Sequence, residues 1–113
     1  MSINKLLRKK GINKQMNLDE IKRIAVPACK EYDVKRLDIF GSHARGEKRE
    51  SSDIDFVVEF NDPTRKPSKR YFGLLHYFED TFNCEIDLVT LDGLKNPYFR
   101  EKVNRERINI YGT

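Results

Sequence analysis

Three aspartates and a glycine-serine turn are the residues of this chain whose types and spacing suit chemistry on a charged ligand. In Ser52-Asp53-Ile54-Asp55-Phe56 the two acids stand two residues apart. On a strand, that spacing sends both carboxylates to one face, roughly 7 Å apart along the backbone. Such a pair suits Mg²⁺, which takes hard oxygen ligands, usually one or two carboxylates completed by water and phosphate oxygens. A third carboxylate from a neighbouring strand would complete the site, and Asp87, between Ile86 and Leu88, is the candidate. An acid in a run otherwise fit for burial needs a cation or a donor beside it. Upstream, Gly41-Ser42 leads into His43-Ala44-Arg45-Gly46. Glycine lets a ligand approach the backbone closely, while the Ser42 hydroxyl and turn amides can bind anionic oxygens. Arg45 adds a permanent positive charge suited to phosphate. His43, with an ordinary pKa of about 6.5, is mostly neutral at pH 7 and reads equally as a phosphate donor or a plain turn residue. Taken singly, the paired acids read as a solvated strand face and Gly-Ser as a common turn; their order and spacing together carry the signal.

The elements that must position these residues follow from periodicity. Asn17 stands as an N-cap with Glu20 three residues on, and Leu18, Ile21, Ala25, Ala28, Cys29 and Tyr32 fall near one face of a helix over 17–32, bent at Pro27. Residues 36–40 read as a strand ending at Gly41. Residues 53–60 alternate, with Ile54, Phe56, Val58 and Phe60 on one face and Asp53, Asp55, Val57 and Glu59 on the other. Pro63 and Pro67 mark a surface loop over 61–70, and Ser68 is placed to cap a helix over 69–82 that stops at Asn83. A third strand over 84–89 carries Asp87, and Pro97 opens a last helix to about Arg107, followed by a short strand over 108–111. The order indicates an α+β fold in which a small mixed β-sheet is packed by helices in two layers.

Composition bounds the rest. The 113 residues fit one compact domain, without room for a separate acceptor-binding domain. Charged residues make up 35% and hydrophobic ones 38%, no stretch approaches membrane-spanning length, and the first residues lack a secretory pattern, so the expected location is the cytoplasm. The net charge of +4 is unevenly spread. Residues 1–16 hold Lys5, Arg8, Lys9, Lys10 and Lys14 and no acid, leaving 17 cations against 18 acids in 17–113. We therefore divide the chain into a basic N-terminal arm, 1–16, read as a solvated tail, and a near-neutral domain, 17–113; nucleic acid is not expected as its main partner. Cys29 and Cys84 read as core thiols rather than a disulfide or zinc site. Tyr71, Phe72, Tyr77 and Phe78, and likewise Tyr98, Phe99 and Tyr111, read as core, and His76 as a surface residue.

With these pieces in place, the chain resembles the polymerase β-like nucleotidyltransferases, in particular their minimal (MNT) branch. The matching segments are Ile39-Phe40-Gly41-Ser42, Ala44-Arg45-Gly46, Ser52-Asp53-Ile54-Asp55-Phe56 and Ile86-Asp87-Leu88, and the similarity runs from about Asn17 to Tyr111. His43 departs from the pattern, since many minimal members carry arginine there. The resemblance implies in-line transfer of a nucleoside monophosphate from a nucleoside triphosphate to a hydroxyl, with pyrophosphate leaving. It implies that Asp53 and Asp55 hold two Mg²⁺ ions, that Asp87 ligates the ion activating the acceptor, and that Gly41 and Ser42 grip the terminal phosphates beside Arg45. Minimal members often resemble the antitoxin of a module whose toxin is a HEPN-domain ribonuclease. The implied activity is then transfer of AMP from ATP onto that toxin, silencing it. Two alternatives stand beside it. A binding antitoxin would neutralise its partner by contact alone, and transfer to a small molecule would need a homo-oligomer to build the acceptor pocket. Two-metal nucleases also cluster acids but do not require Gly-Ser at this spacing.

Overall fold

The computed structural model describes residues 16–46 and 53–112. Helix α1 spans Leu18–Glu31 and begins where the Asn17 side chain accepts the Glu20 amide at 2.9 Å, the cap the sequence calls for. It runs through Pro27 and buries Ile21, Ala25, Ala28 and Cys29. The remaining elements are β1 (Val34–Phe40), β2 (Ile54–Phe60), α2 (Pro67–Phe82), β3 (Ile86–Thr90), α3 (Pro97–Glu106) and β4 (Ile108–Gly112). The sheet is mixed, in the order β3-β2-β1-β4, with β2 and β3 parallel and the other neighbours antiparallel. The α+β fold expected from the element order is the fold observed.

Three boundaries differ from the sequence reading, each for a local reason. β1 starts at Val34 rather than 36, because Val34 pairs with Phe60 at the far end of β2. β3 covers 86–90 rather than 84–89. α2 starts at Pro67, so Ser68 lies inside the first turn and is not the cap. The cap position is Lys66, at φ 44 and with no side-chain cap bond, and Pro67 pre-sets the first helical φ. The loop before it is tied down instead by Arg70, whose guanidinium donates to the carbonyls of Asn61 (2.7 Å), Asp62 (2.5 Å) and Arg65 (2.8 Å) and lies 4.9 Å over the Phe60 ring.

The sheet has two unlike faces. On one, Leu37, Ile39, Ile54, Phe56 and Val58 pack with α1 and α2, and Phe56 meets Phe78 at 4.9 Å between ring centroids. On the other, Phe40 and Val57 pack with Val103 of α3. Leu74, Phe78 and Phe82 make the buried stripe of α2, which leaves Phe72 off the stripe and 52% exposed. Tyr98 is 83% exposed and Phe99 38%, since Val103 is the residue through which α3 is buried. These three aromatics are therefore not core as expected. His76 is exposed, beside Glu79. Cys29 is buried and its thiol is pushed up to about 12 by that burial; Cys84 is half-buried, and both are free. Of the basic arm, residues 1–15 lie outside the described residues, and Met16 packs against the core. No helix among the described residues is long and apolar enough to cross a membrane.

A buried carboxylate joins β1, β4 and the end of α3. Asp38 is fully buried and accepts from Arg36 Nε (2.9 Å), Asn109 Nδ2 (2.9 Å) and Arg107 Nε. Burial alone would push its carboxyl up, but the bonds from Arg36, Asn109 and Arg107 outweigh it and hold the pKa below the usual carboxylate value. Its stabilisation is therefore complete above the ordinary carboxylate range and is lost as pH falls through it. Asp38→Asn is expected to lower the unfolding free energy by about 3 kcal/mol at pH 7, because it strands two guanidinium groups. Urea unfolding at pH 7 and pH 3 checks this, with the gap between variant and parent narrowing at the lower pH.

Candidate active site

β1 ends at Gly41, whose φ of +76 lies in the left-handed region. The chain then coils back on itself, with the Arg45 amide donating to the Gly41 carbonyl (3.1 Å) and the Gly46 amide to that of His43 (3.3 Å). Gly41 faces the acidic strand: a Cβ placed there would stand 2.2 Å from Asp55 Oδ2. Glycine is thus required both by backbone conformation and by the space the carboxylate occupies. Asp55 is in turn the cross-strand partner of Phe40 in β1 and of Asp87 in the parallel ladder to β3. Asp53 lies exposed just before β2, within electrostatic reach of Asp55.

The charges register on one another. The Asp55 pKa is pushed up to about 6, first by burial, then by the carboxylates of Asp87 and Asp53, against the opposing charges of Arg45 and Lys102. Arg45 Nη1 is 2.9 Å from Glu106 Oε1 of α3, so the turn and the helix are linked by an ion pair. Of the sequence candidates, Gly41, Asp55, Asp87, Asp53 and Arg45 gather at one end of the sheet, and Ser42 is half-exposed in the same turn. Ser52 lies outside the described residues. Asp87 is exposed rather than set in a buried strand, because β3 is an edge strand. His43 is buried at 6% exposure, so its side chain turns inward.

Among the described residues, no three His, Cys, Asp or Glu side chains are gathered tightly enough to hold a metal as they stand. The donor set nevertheless suits Mg²⁺: oxygen atoms only, contributed by Asp53, Asp55 and Asp87, with one carboxyl whose ionised form is disfavoured by its neighbours. A dication would relieve that disfavour. Lys102 and Glu106 were not flagged by the sequence; the Arg45 and Glu106 partners are 61 residues apart, and no local pattern announces the contact. A cavity of about 560 Å³ lies elsewhere, beyond the far ends of β2 and β3, lined by Lys35, Glu59, Phe60, Tyr71, Phe72 and Asp92 among others. It contains none of the clustered acids.

Residues 21–110 match the family described as nucleotidyltransferase domain, and the chain belongs to that family. Within it, the likeness is to minimal members. A relative from Methanocaldococcus jannaschii, provisionally named protein adenylyltransferase MJ1379, is 36% identical over 97 residues, covering 82% of this chain and 97% of the relative. A solved structure provisionally described as a minimal nucleotidyltransferase is 32% identical, with a TM-score of 0.68 over 82% of this chain and 95% of that one. The MNT antitoxin fold is also shared, at 16% identity and a TM-score of 0.62 over 85% of this chain and 73% of that one, with a structure of tri-AMPylated Shewanella oneidensis HEPN toxin in complex with MNT antitoxin.

Two measurements test the geometry. Asp55, read by carboxyl ¹³C shifts in metal-free protein, is expected to titrate near pH 6, and Asp87→Asn is expected to lower its midpoint. Because the folded-state pKa is raised, the stability linked to this group is full below the ordinary value of 3.8 and is lost as pH rises to about 6. Gly41→Ala is expected to cost about 1–3 kcal/mol in thermal or urea unfolding, through the positive φ and the displaced carboxylate.

Proposed function

We propose that this chain is a Mg²⁺-dependent adenylyltransferase that moves AMP from ATP to a hydroxyl of a partner protein, a HEPN-domain toxin, which is silenced by the modification. The observation that carries the reading is the apposition of Gly41 to Asp55, with Asp55 in register with Asp87. A glycine turn that admits a phosphate chain is thereby set beside carboxylates that favour a dication. The name of the Methanocaldococcus jannaschii relative and the AMPylated toxin in the distant complex agree with AMP as the transferred group.

In this reading the acceptor oxygen attacks the α-phosphorus of ATP, the bond to the β-phosphate oxygen breaks, and pyrophosphate leaves. Gly41 lets the terminal phosphates lie against the backbone, the Ser42 hydroxyl donates to them, and Arg45 supplies a fixed positive charge at the end of the turn. Asp53, Asp55 and Asp87 would hold Mg²⁺, which supplies neutralisation of phosphate charge when bound. The nucleotidyltransferase domain is 17–113, preceded in sequence by the basic arm 1–16, and the cytoplasm is the place of action. The acceptor hydroxyl belongs to the partner, in keeping with the AMPylated toxin of the distant complex.

The test is direct. The purified chain, Mg²⁺, each nucleoside triphosphate in turn and the protein encoded beside it are mixed, and intact masses are read. An adenylyl adduct on the partner, formed from ATP, is the expected result. Asp55→Asn and Asp87→Asn are expected to slow its formation on the order of 10³-fold while the complex still forms. A partner fully neutralised by both variants with no adduct would instead establish inhibition by contact.

A further inference from the structure

Helix α3 brings more to the acidic site than the sequence motifs announce. Its packed side is Val103, against Phe40 and Val57, with the Phe99 ring 6.2 Å from that of Phe40 and edge-on. Phe40 is the direct cross-strand partner of Asp55, so α3 lies alongside the carboxylates. Along one edge of the helix, residues recur every four positions. Glu106, with its side chain only 14% exposed, holds Arg45 at 2.9 Å. One turn earlier stands Lys102, exposed and near enough to Asp55 to oppose the rise in its pKa. One turn earlier again stands Tyr98, 83% exposed. Each four-residue step advances about 40° round a helix, so the row climbs from the packed side at Glu106 to the open rim at Tyr98.

We propose that this edge of α3 is the nucleotide's seat, with Glu106 positioning Arg45 at the terminal phosphates, Lys102 facing the α-phosphate and Tyr98 stacking on the base. The inference rests on the reading of the site as one for a nucleoside triphosphate. Eight residues of helix span about 12 Å, comparable with an extended nucleoside triphosphate. The order of chemistry along the edge, charge, charge and then ring, repeats the order of parts along such a ligand. A ring held this far from any packing role presents a whole face, and an aromatic face stacks on a base without needing hydrogen-bond readout. Lys102 adds a second cation beside the one already shared with Glu106.

The experiment uses the full chain with Mg²⁺ and two probes, ATP and inorganic tripolyphosphate, whose dissociation constants are measured by calorimetry. Tyr98→Ala is expected to weaken ATP about tenfold and to leave tripolyphosphate unchanged, while Tyr98→Phe keeps ATP within about twofold of the parent. Glu106→Gln is expected to weaken both probes alike at an unchanged unfolding midpoint, as a positioning role through Arg45 requires. Equal ATP binding by Tyr98→Ala and the parent would overturn the assignment. A Tyr98→Ala variant that loses its protein partner while keeping ATP would also overturn it, making the ring a docking residue. A parent chain that binds neither probe would refute the triphosphate site itself, an outcome distinct from either failure at Tyr98.

Discussion

Parallel pairing of β2 with β3 is the constraint on which the rest of the arrangement depends. It sets Asp55 opposite Asp87, and a slip of one residue would turn Asp87 to the other face of the sheet. Parallel neighbours cannot be joined by a tight hairpin, so the chain between Phe60 and Ile86 must cross over, and α2 is that crossover. The crossover is held at its start by Arg70, buried at 6% exposure, which gathers three loop carbonyls and lies over Phe60. It is covered along its length by Phe78 and Phe82 against Phe56. The acidic face is in this sense a product of packing on the opposite face.

A second constraint fixes the helix beside the site. Arg107 caps the end of α3 and reaches Asp38 in the middle of β1, while Asn109, the first outward residue of β4, bonds the same carboxylate. Removing such a group strands its partners, yet a buried ion cluster is weak evidence for net stability; its value here is registration. By fixing where α3 ends, it fixes where Glu106 meets the turn at Arg45 and, one turn back, where Lys102 stands within electrostatic reach of Asp55. Asp38 and Asp55 thus sit on one face of the sheet with opposite shifts: the Asp38 pKa is held below the usual carboxylate value, and that of Asp55 is pushed up to about 6.

Local signals made much of this legible. The Asn17 cap, the stop at Asn83 and the start at Pro97 depend on neighbours within three residues, and all three stand where the sequence puts them. The alternation through β2 needed no partner to be read, and it separates Phe56 and Val58 from Asp55 and Val57 as expected. Features that depend on distant pairing were not legible. Asp38 looks like one more surface acid in a short strand, and its partners Arg107 and Asn109 lie 69 and 71 residues away. Arg70 reads as helix surface until the loop folds back over it. Asp87 reads as buried until β3 is known to be the edge of the sheet. Tyr98 and Phe72 mislead because aromatic content in a helix is core by default, and only the packed stripe of each helix decides otherwise.

The electrostatics of the site explain why its parts are arranged as they are. Asp55 is caught between burial, which disfavours its charge, and two neighbouring carboxylates, which disfavour it further. Arg45 and Lys102 oppose this, but Arg45 also pairs with Glu106, and the negative charge around Asp55 prevails. A phosphate chain alone would meet that surplus of negative charge, and a dication alone would satisfy the carboxylates while facing the two cations. In the proposed function, dication and polyanion together would supply the charges that neither supplies alone. Gly41 is the geometric half of the same requirement, because any side chain there would occupy the volume of the Asp55 carboxylate and push it from the face it shares with Asp87. The turn, the parallel register and the helix edge are therefore one electrostatic device assembled from three distant stretches of chain.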